Sequence, residues 1–597
     1  MAPQPARSLF DLDCAGQRFA SGFISIHAAS GGNSPIFMTR WIALTGVVLL
    51  GLAAVFMTEH RKVDVPPAPA ALLYLIADTE QELTRMPVRF TRMSDEEEIR
   101  IGNETARAYG FPRDKQDRDT AEVERYLGQV GSRIAAHAHR KLPYKFHYVP
   151  GRYFINAFAV PGGHVYVGEG LLALMDSEDE LAAVIGHEIE HIDHYHCAER
   201  VQQEQALRKI PLGELVALPV EIFEAGYSKD QELEADREGT RLSVQAGYSP
   251  NGAIRMFETF QRLYQEYQAR AKTPQEELSR VALDTLGGYF RSHPLTSERI
   301  AQVRKMIASE HWDVHPERDL AVAYIFWTDK AQSEFEARKY AHAQQVAMRS
   351  LEMHPGQEKA LQVLAEAQFA QADFAGAAGS YRKLLELEST NRDVANSLAL
   401  SLAADNPKNA AAEFRRALDS IKGEKPQDLQ VSISGLELLG ENAAAAQKLR
   451  SELSSNSLEQ NAPMRLEELG WWFYMAGDYR SAADLLGQAI QQRPRDLRLG
   501  AHLSWADIEL RRFSDALQVL NLAYEQGQAQ PERTMARAVF LWRAQQDDEA
   551  LRDFESASAA QPEWTNPHWV KALYSPLVVQ SIDQMSAERE RRRKIQT

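Results

Sequence analysis

The sequence predicts a mainly α protein with a small β-hairpin or sheet, built as one mixed domain followed by an α-solenoid. Three observations carry this reading. Residues 145–172 are rich in aromatic and β-branched side chains punctuated by Pro161-Gly162-Gly163, the pattern of strands joined by a turn. Residues 324–575 are Ala-, Leu-, Gln- and Glu-rich with almost no strand signal. Within that stretch small and apolar residues recur every 34 positions, as stacked helix pairs require. At 597 residues the chain is also too long for one core. Its 44% hydrophobic and 25% charged residues are those of ordinary globular domains. The net charge of −16 argues against nucleic acid as a partner, because phosphate binding needs clustered Lys and Arg. Two cysteines, Cys14 and Cys197, exclude a disulfide framework.

Taken in order, residues 1–37 show no helical or strand period and are expected to be a disordered extension, with Met38 an alternative start. Residues 38–60 contain the uncharged run Trp41–Met57 behind Arg40, which reads as an uncleaved signal anchor in a membrane. Its orientation is weakly specified, since Arg40 precedes the span and Arg61 and Lys62 follow it. Residues 61–85, with "VDVPPAPAA", form a stiff linker. The mixed domain is expected over 86–312. Ser94 with Glu97 marks a helix start, and Ser177 with Glu180 marks another. From Ser177 the pattern "ELAAVIGHEIEHIDHYH" continues without a breaker, so one helix is predicted through it. A further helix over Gln231–Ala246 stops at Gly247 with Pro250 just beyond.

In 324–575 a small residue recurs at Ala343, Ala377, Ala411 and Ala445 and, after a three-residue insertion, at Ala482, Ala516 and Ala550. Aromatics open four of these copies, at Tyr340, Phe374, Tyr479 and Phe513, and Pro355, Pro494 and Pro562 close three. This resembles the tetratricopeptide repeat, whose small residue lets paired helices approach and whose proline ends the second helix. Residues 576–597, with "RERRRK" at 589–594, read as a solvated basic tail.

The chemistry concentrates in "HEIEH", His187–His191. Residues four apart on a helix differ by about 40° of rotation and about 6 Å of rise, so both imidazoles point to one side. Two neutral imidazoles suit Zn²⁺, and Glu188 then lies beside the position where water binds and can take its proton. The apolar "LAAVIG" just upstream places this helix in a core rather than on a charged surface. A third ligand is required. "SKDQELEADREGTRL" offers Glu232 and Asp236, four apart on the next predicted helix. One could complete the metal site while the other accepts the free N–H of a ligating imidazole. Helical spacing alone does not choose among Glu232, Glu234 and Asp236.

HEIEH followed by "ELEAD" and "AGYSP", with "INAFAVPGGHVYVGEGLL" upstream and "SHPLTSERI" downstream, resembles the zinc metallopeptidases of the HtpX and CAAX prenyl protease family, in particular members that carry tetratricopeptide repeats behind the peptidase domain. The resemblance implies a zincin-like fold and one Zn²⁺ held by His187, His191 and Glu232. It makes Glu188 the base and leaves Asp236 behind the ligands. It further implies that Arg299 faces the site to stabilise an oxyanion, and that His293 can occupy a fourth zinc position and hold the enzyme latent. Asn156, Ala157, Phe158 and Ala159 would form the edge strand on which substrate pairs. The implied activity is hydrolysis of peptide bonds in misfolded or stalled envelope proteins. Partners would be unfolded or misassembled substrates and, through the repeats, outer-membrane assembly machinery, with the catalytic domain in the periplasm. A repeat scaffold or chaperone with a latent zinc site is the rival reading. One departure stands out: where the family has Arg-His, this chain has Tyr195-His196. His194 is expected at the surface, about 10 Å along the helix from His187, and Cys197 as a packed thiol.

Overall fold

A computed structural model describes residues 93–108, 117–152, 154–207, 227–270, 297–426, 429–441, 444–445, 447, 462–521 and 530–596. The extension, anchor and linker expected within 1–85, and His293, lie outside the described residues. Among the described residues no helix is long and apolar enough to cross a membrane.

The mixed domain begins with α1 (Asp95–Ala108) and α2 (Arg118–Ala135). The Ser94 hydroxyl accepts from the Glu97 N–H at 3.2 Å, as the sequence predicts. Three strands follow: β1 (Lys145–Val149), β2 (Ala157–Val160) and β3 (His164–Gly168), in the order β1-β3-β2. The expected hairpin is β2–β3, closed by Gly162 and Gly163 at φ of 77° and 100°, conformations open to glycine. β1 instead joins β3 in parallel, Lys145 opposite His164.

The next elements are α3 (Glu178–Asp193), α4 (His196–Leu207), α5 (Lys229–Gln245), α6 (Asn251–Arg270) and α7 (Ser297–Ser309). The Ser177 hydroxyl caps α3 through the Glu180 N–H, and Ser228 with Gln231 forms a capping box on α5. All of α3 except Glu178 and Ala183 is buried, as expected of a helix apolar on every side. Leu181, Ile185, Ile189 and Ile192 pack with Val130 and Ile134 of α2, Val165 and Val167 of β3, and Leu242 of α5. The predicted single helix through His196 is in fact two. Tyr195 turns left-handed at φ 64°, ending α3 and starting α4 in a new direction.

Helix pairs then run from Ala323–Glu336 to Asp547–Ala560. Tyr340, Phe374, Tyr479 and Phe513 each open a second helix of a pair. Ala343, Ala377, Ala482, Ala516 and Ala550 are fully buried. The third copy slips by one residue: Ala410, not Ala411, is the buried alanine. Left-handed turn residues precede the buried alanines by five positions at Arg338, Ala372, Gly477, Arg511 and Gln545. The array curls back on itself, with the Tyr340 hydroxyl donating to Glu563 at 2.8 Å and Asn566 to the Gln371 carbonyl at 3.3 Å. Residues 576–596, expected as a tail, are a helix. Its Val578, Ile582 and Met585 are buried on the last repeat, and only the basic end is largely exposed.

Candidate metal centre

α3 and α5 cross in unusually close contact, and this crossing assembles the site. A Cβ on Gly186 would lie 2.5 Å from the Gly239 carbonyl oxygen, and one on Gly239 would lie 2.6 Å from the His187 nitrogen. Two glycines therefore let the backbones touch one residue before His187. Ser243 pins the crossing by donating to the Ala182 carbonyl at 2.8 Å.

Three side chains converge there. His187 Nε2 and His191 Nε2 are 3.1 Å apart. Glu232 reaches His187 Nε2 at 3.6 Å through Oε2 and His191 Nε2 at 3.5 Å through Oε1. A tetrahedral ion bound at about 2.1 Å needs ligand atoms about 3.4 Å apart. The triangle fits a zinc ion on its ligand chemistry and its dimensions. His187, His191 and Glu232 also form a cluster whose ligand atoms all lie within 4.8 Å of one another. All three are buried, as is Glu188, which is 1% exposed.

Each imidazole is held from behind. His187 Nδ1 is 3.0 Å from Asp236 Oδ1. His191 Nδ1 is 3.0 Å from His196 Nδ1, and His196 Nε2 lies 3.3 Å from Glu234 Oε2. The His191 ring also stacks on Tyr227 with centroids 3.8 Å apart. With Nε2 turned to a metal, His191 Nδ1–H donates to His196, whose Nε2–H then donates to Glu234. Burial would raise the Asp236 carboxyl, but the Arg299 charge and hydrogen bonds, with His187, hold it well below the usual carboxylate range. The His196 hydrogen bond lowers Glu234.

Arg299 does reach the site, but its guanidinium is committed to carboxylates. Nε and Nη2 donate to Asp236 at 2.5 and 2.7 Å, and Nη1 lies 3.1 Å from Glu232 Oε2. This geometry favours holding the carboxylates over the oxyanion role that the resemblance implies. Asn156, Ala157, Phe158 and Ala159 run into and along β2, one of the two outer strands, and all are buried. The Gly168 N–H to Asn156 carbonyl bond at 2.9 Å makes Asn156 and Phe158 the inward-pairing positions. The backbone groups of Ala157 and Ala159 then face away from β3, and the Ala159 carbonyl accepts from the Cys197 thiol at 3.6 Å. Cys197 is fully buried, which pushes its thiol up and fits a packed residue. His194 is only partly exposed and ion-paired, 2.5 Å from Glu190 Oε2, not the free surface residue expected. The roles of His196, Glu234 and Tyr227 in holding His191 emerge only from the fold. The cue lay in the sequence only as a histidine following Tyr195, where the helix break is unmarked.

Residues 121–307 match the model of peptidase family M48, and residues 473–540 match a tetratricopeptide repeat model. The beta-barrel assembly-enhancing protease of Vibrio cholerae, provisionally so named, is 31% identical over 230 residues, covering 34% of this chain and 44% of that protein. That of Escherichia coli K12 is 27% identical over 205 residues, covering 30% and 38%. The mitochondrial metalloendopeptidase OMA1 of Arabidopsis thaliana is 31% identical over 153 residues, covering 24% and 28%. The chain thus spans less than half the length of these relatives. Its similarity to family M48 peptidases lies in residues 121–307, and its similarity to tetratricopeptide repeats lies behind them, in residues 473–540.

Proposed function

We propose that this chain, a family M48 peptidase domain with tetratricopeptide repeats behind it, is a zinc-dependent endopeptidase tethered to a membrane. Its substrates are misfolded or stalled envelope proteins, and its repeats recruit them or the outer-membrane assembly machinery. The observation that carries the catalytic part is the triangle of His187, His191 and Glu232, with edges of 3.1 to 3.6 Å. The envelope role is supported by the names of the relatives from Vibrio cholerae and Escherichia coli. A periplasmic catalytic domain belongs to the same proposal, as does a latency role for His293.

Zinc, when bound, supplies a positive centre that polarises the scissile carbonyl and brings the pKa of water toward neutrality. Glu188 takes the proton from the attacking water and returns it to the leaving amine as the C–N bond breaks. Its neighbour His187 is oriented by Asp236, and Arg299 fixes both Asp236 and Glu232. Arg299 is therefore a positioning residue in this scheme. The substrate backbone pairs along the outer edge of β2 at Ala157, the Ala159 carbonyl being taken by the Cys197 thiol, which lays the scissile bond across the site.

Cleavage of unfolded casein by the wild type and by Glu188→Gln tests the assignment. Zinc content is expected to stay the same while cleavage falls at least about 100-fold. Equal cleavage by the two proteins would rule Glu188 out as the base.

A further inference from the structure

One turn beyond the zinc triangle, α3 carries a second set of ligand-type side chains that the proposed hydrolysis does not use. Carboxylate oxygens of Glu190 and Asp193 and a ring nitrogen of His194 lie within 4.8 Å of one another. A fourth donor faces them from the segment after α2: His139 Nδ1 is 3.0 Å from Asp193 Oδ2. Glu190 is fully buried, and its Oε1 has no hydrogen-bond partner among the described residues. Its Oε2 meets His194 Nδ1, itself a member of the set. Asp193 is partly met by backbone, its Oδ1 accepting from the Arg140 N–H at 2.6 Å and its Oδ2 from the His139 N–H at 2.8 Å, but the Arg140 guanidinium is engaged elsewhere. It binds the Ile192 carbonyl, Glu98 and Asp95, and lies 3.9 Å over the Tyr195 ring. Burying a carboxylate without a matching donor or charge is costly, and Glu190 has a second buried acid, Asp193, one turn away.

We propose that Glu190, Asp193, His194 and His139 form a second divalent-cation site. Two imidazoles with two carboxylates select a borderline transition ion such as zinc over calcium or magnesium, which prefer oxygen-only shells. A protonated His194 alone would supply countercharge to Glu190 Oε2 yet leave Oε1 bare. The two sites are linked in space. His194 Nε2 lies 3.9 Å from Glu234 Oε1, and Glu234 Oε2 leads through His196 to His191. The second cation thus sits on the chain of groups that orients a catalytic imidazole.

The test is zinc titration of the untagged, chelator-stripped full chain, with bound metal counted after desalting. The wild type should hold two equivalents. His187→Ala/His191→Ala should hold one, showing that the second site is independent of the catalytic one. His139→Ala/His194→Ala should also hold one. His139→Ala alone alters an exposed side chain, so it leaves the fold intact and should weaken the second equivalent at least about fivefold in chelator competition. Saturation of the wild type at one equivalent would overturn the site. So would retention of two by His139→Ala/His194→Ala, or loss of all metal from a folded His187→Ala/His191→Ala chain.

Discussion

His196 follows a left-handed Tyr195, and that one backbone angle decides how His191 is held. Had α3 continued, His196 would have pointed away from His191 instead of lying 3.0 Å from it. A ligating imidazole whose second nitrogen loses its partner typically loses 10- to 100-fold in metal affinity. His196→Ala is accordingly expected to weaken zinc binding about 10- to 100-fold, read by competition with a chromogenic chelator, while secondary structure is unchanged. Unaltered affinity would make His196 a bystander. The candidate metal ligands were largely legible in the sequence. An i, i+4 pair of histidines on one helix face needs only helical geometry. Glu232 was not separable from Glu234 and Asp236 by spacing and needed the family resemblance. The structure gives each a different neighbour: Glu232 faces both imidazoles, Asp236 backs His187, and Glu234 ends the relay from His196. His196 escaped because a non-glycine left-handed residue carries no sequence signal.

The helix crossing is the element on which the centre depends. Gly186 and Gly239 let α3 and α5 meet backbone to backbone, so added bulk there must push the helices apart. A methyl on Gly239 meets backbone rather than a flexible side chain, which cannot yield cheaply. Gly239→Ala should therefore destabilise the domain by about 1–3 kcal/mol and lower its zinc affinity. Thermal unfolding with and without zinc would measure both. A variant as stable and as zinc-replete as the wild type would mean that the close contact is not needed. The capping box at Ser228 starts α5 at Lys229, two residues before the expected Gln231, but the caps and helix ends at Ser94, Ser177 and Gly247 were legible in the sequence, because capping chemistry is local. The parallel pairing of β1 with β3 was not, because nothing local distinguishes it from a further hairpin strand. The repeat turns recur at 34-residue intervals, yet of five left-handed positions only Gly477 is a glycine. The buried alanine at 410 rather than 411 shows how a small-residue signal slips in alanine-rich sequence.

At the scale of the whole molecule, the repeats and the mixed domain that holds the candidate metal centre share packing rather than a free joint. Leu320, Val322, Ala323, Tyr324, Ile325 and Phe326 belong to the same core cluster as α3 and the sheet. Yet Ala323–Glu336 is the first helix of the repeat array. Lys359 adds an ion pair to Asp119 at 2.7 Å, and Arg152 donates to Ser333 at 2.5 Å. A boundary at 312, natural from sequence, cuts through this core. Each large apolar side chain lost from it forfeits about 1.5–3 kcal/mol of burial. A fragment ending at 312 is expected to lack cooperative unfolding, whereas one ending after Glu336 should retain it. Calorimetry of the two fragments checks this, and a cooperative, zinc-binding fragment ending at 312 would contradict it. Composition exposed the division into two kinds of structure. It could not expose a helix that serves both.

Anomalous scattering at the zinc edge from crystals of the full chain tests the central claim most directly. A peak is expected between His187 Nε2, His191 Nε2 and a Glu232 carboxylate oxygen, at about 2.0–2.2 Å from each. No peak between the two imidazoles, or a peak there with the Glu232 carboxylate turned away from it, would contradict the account.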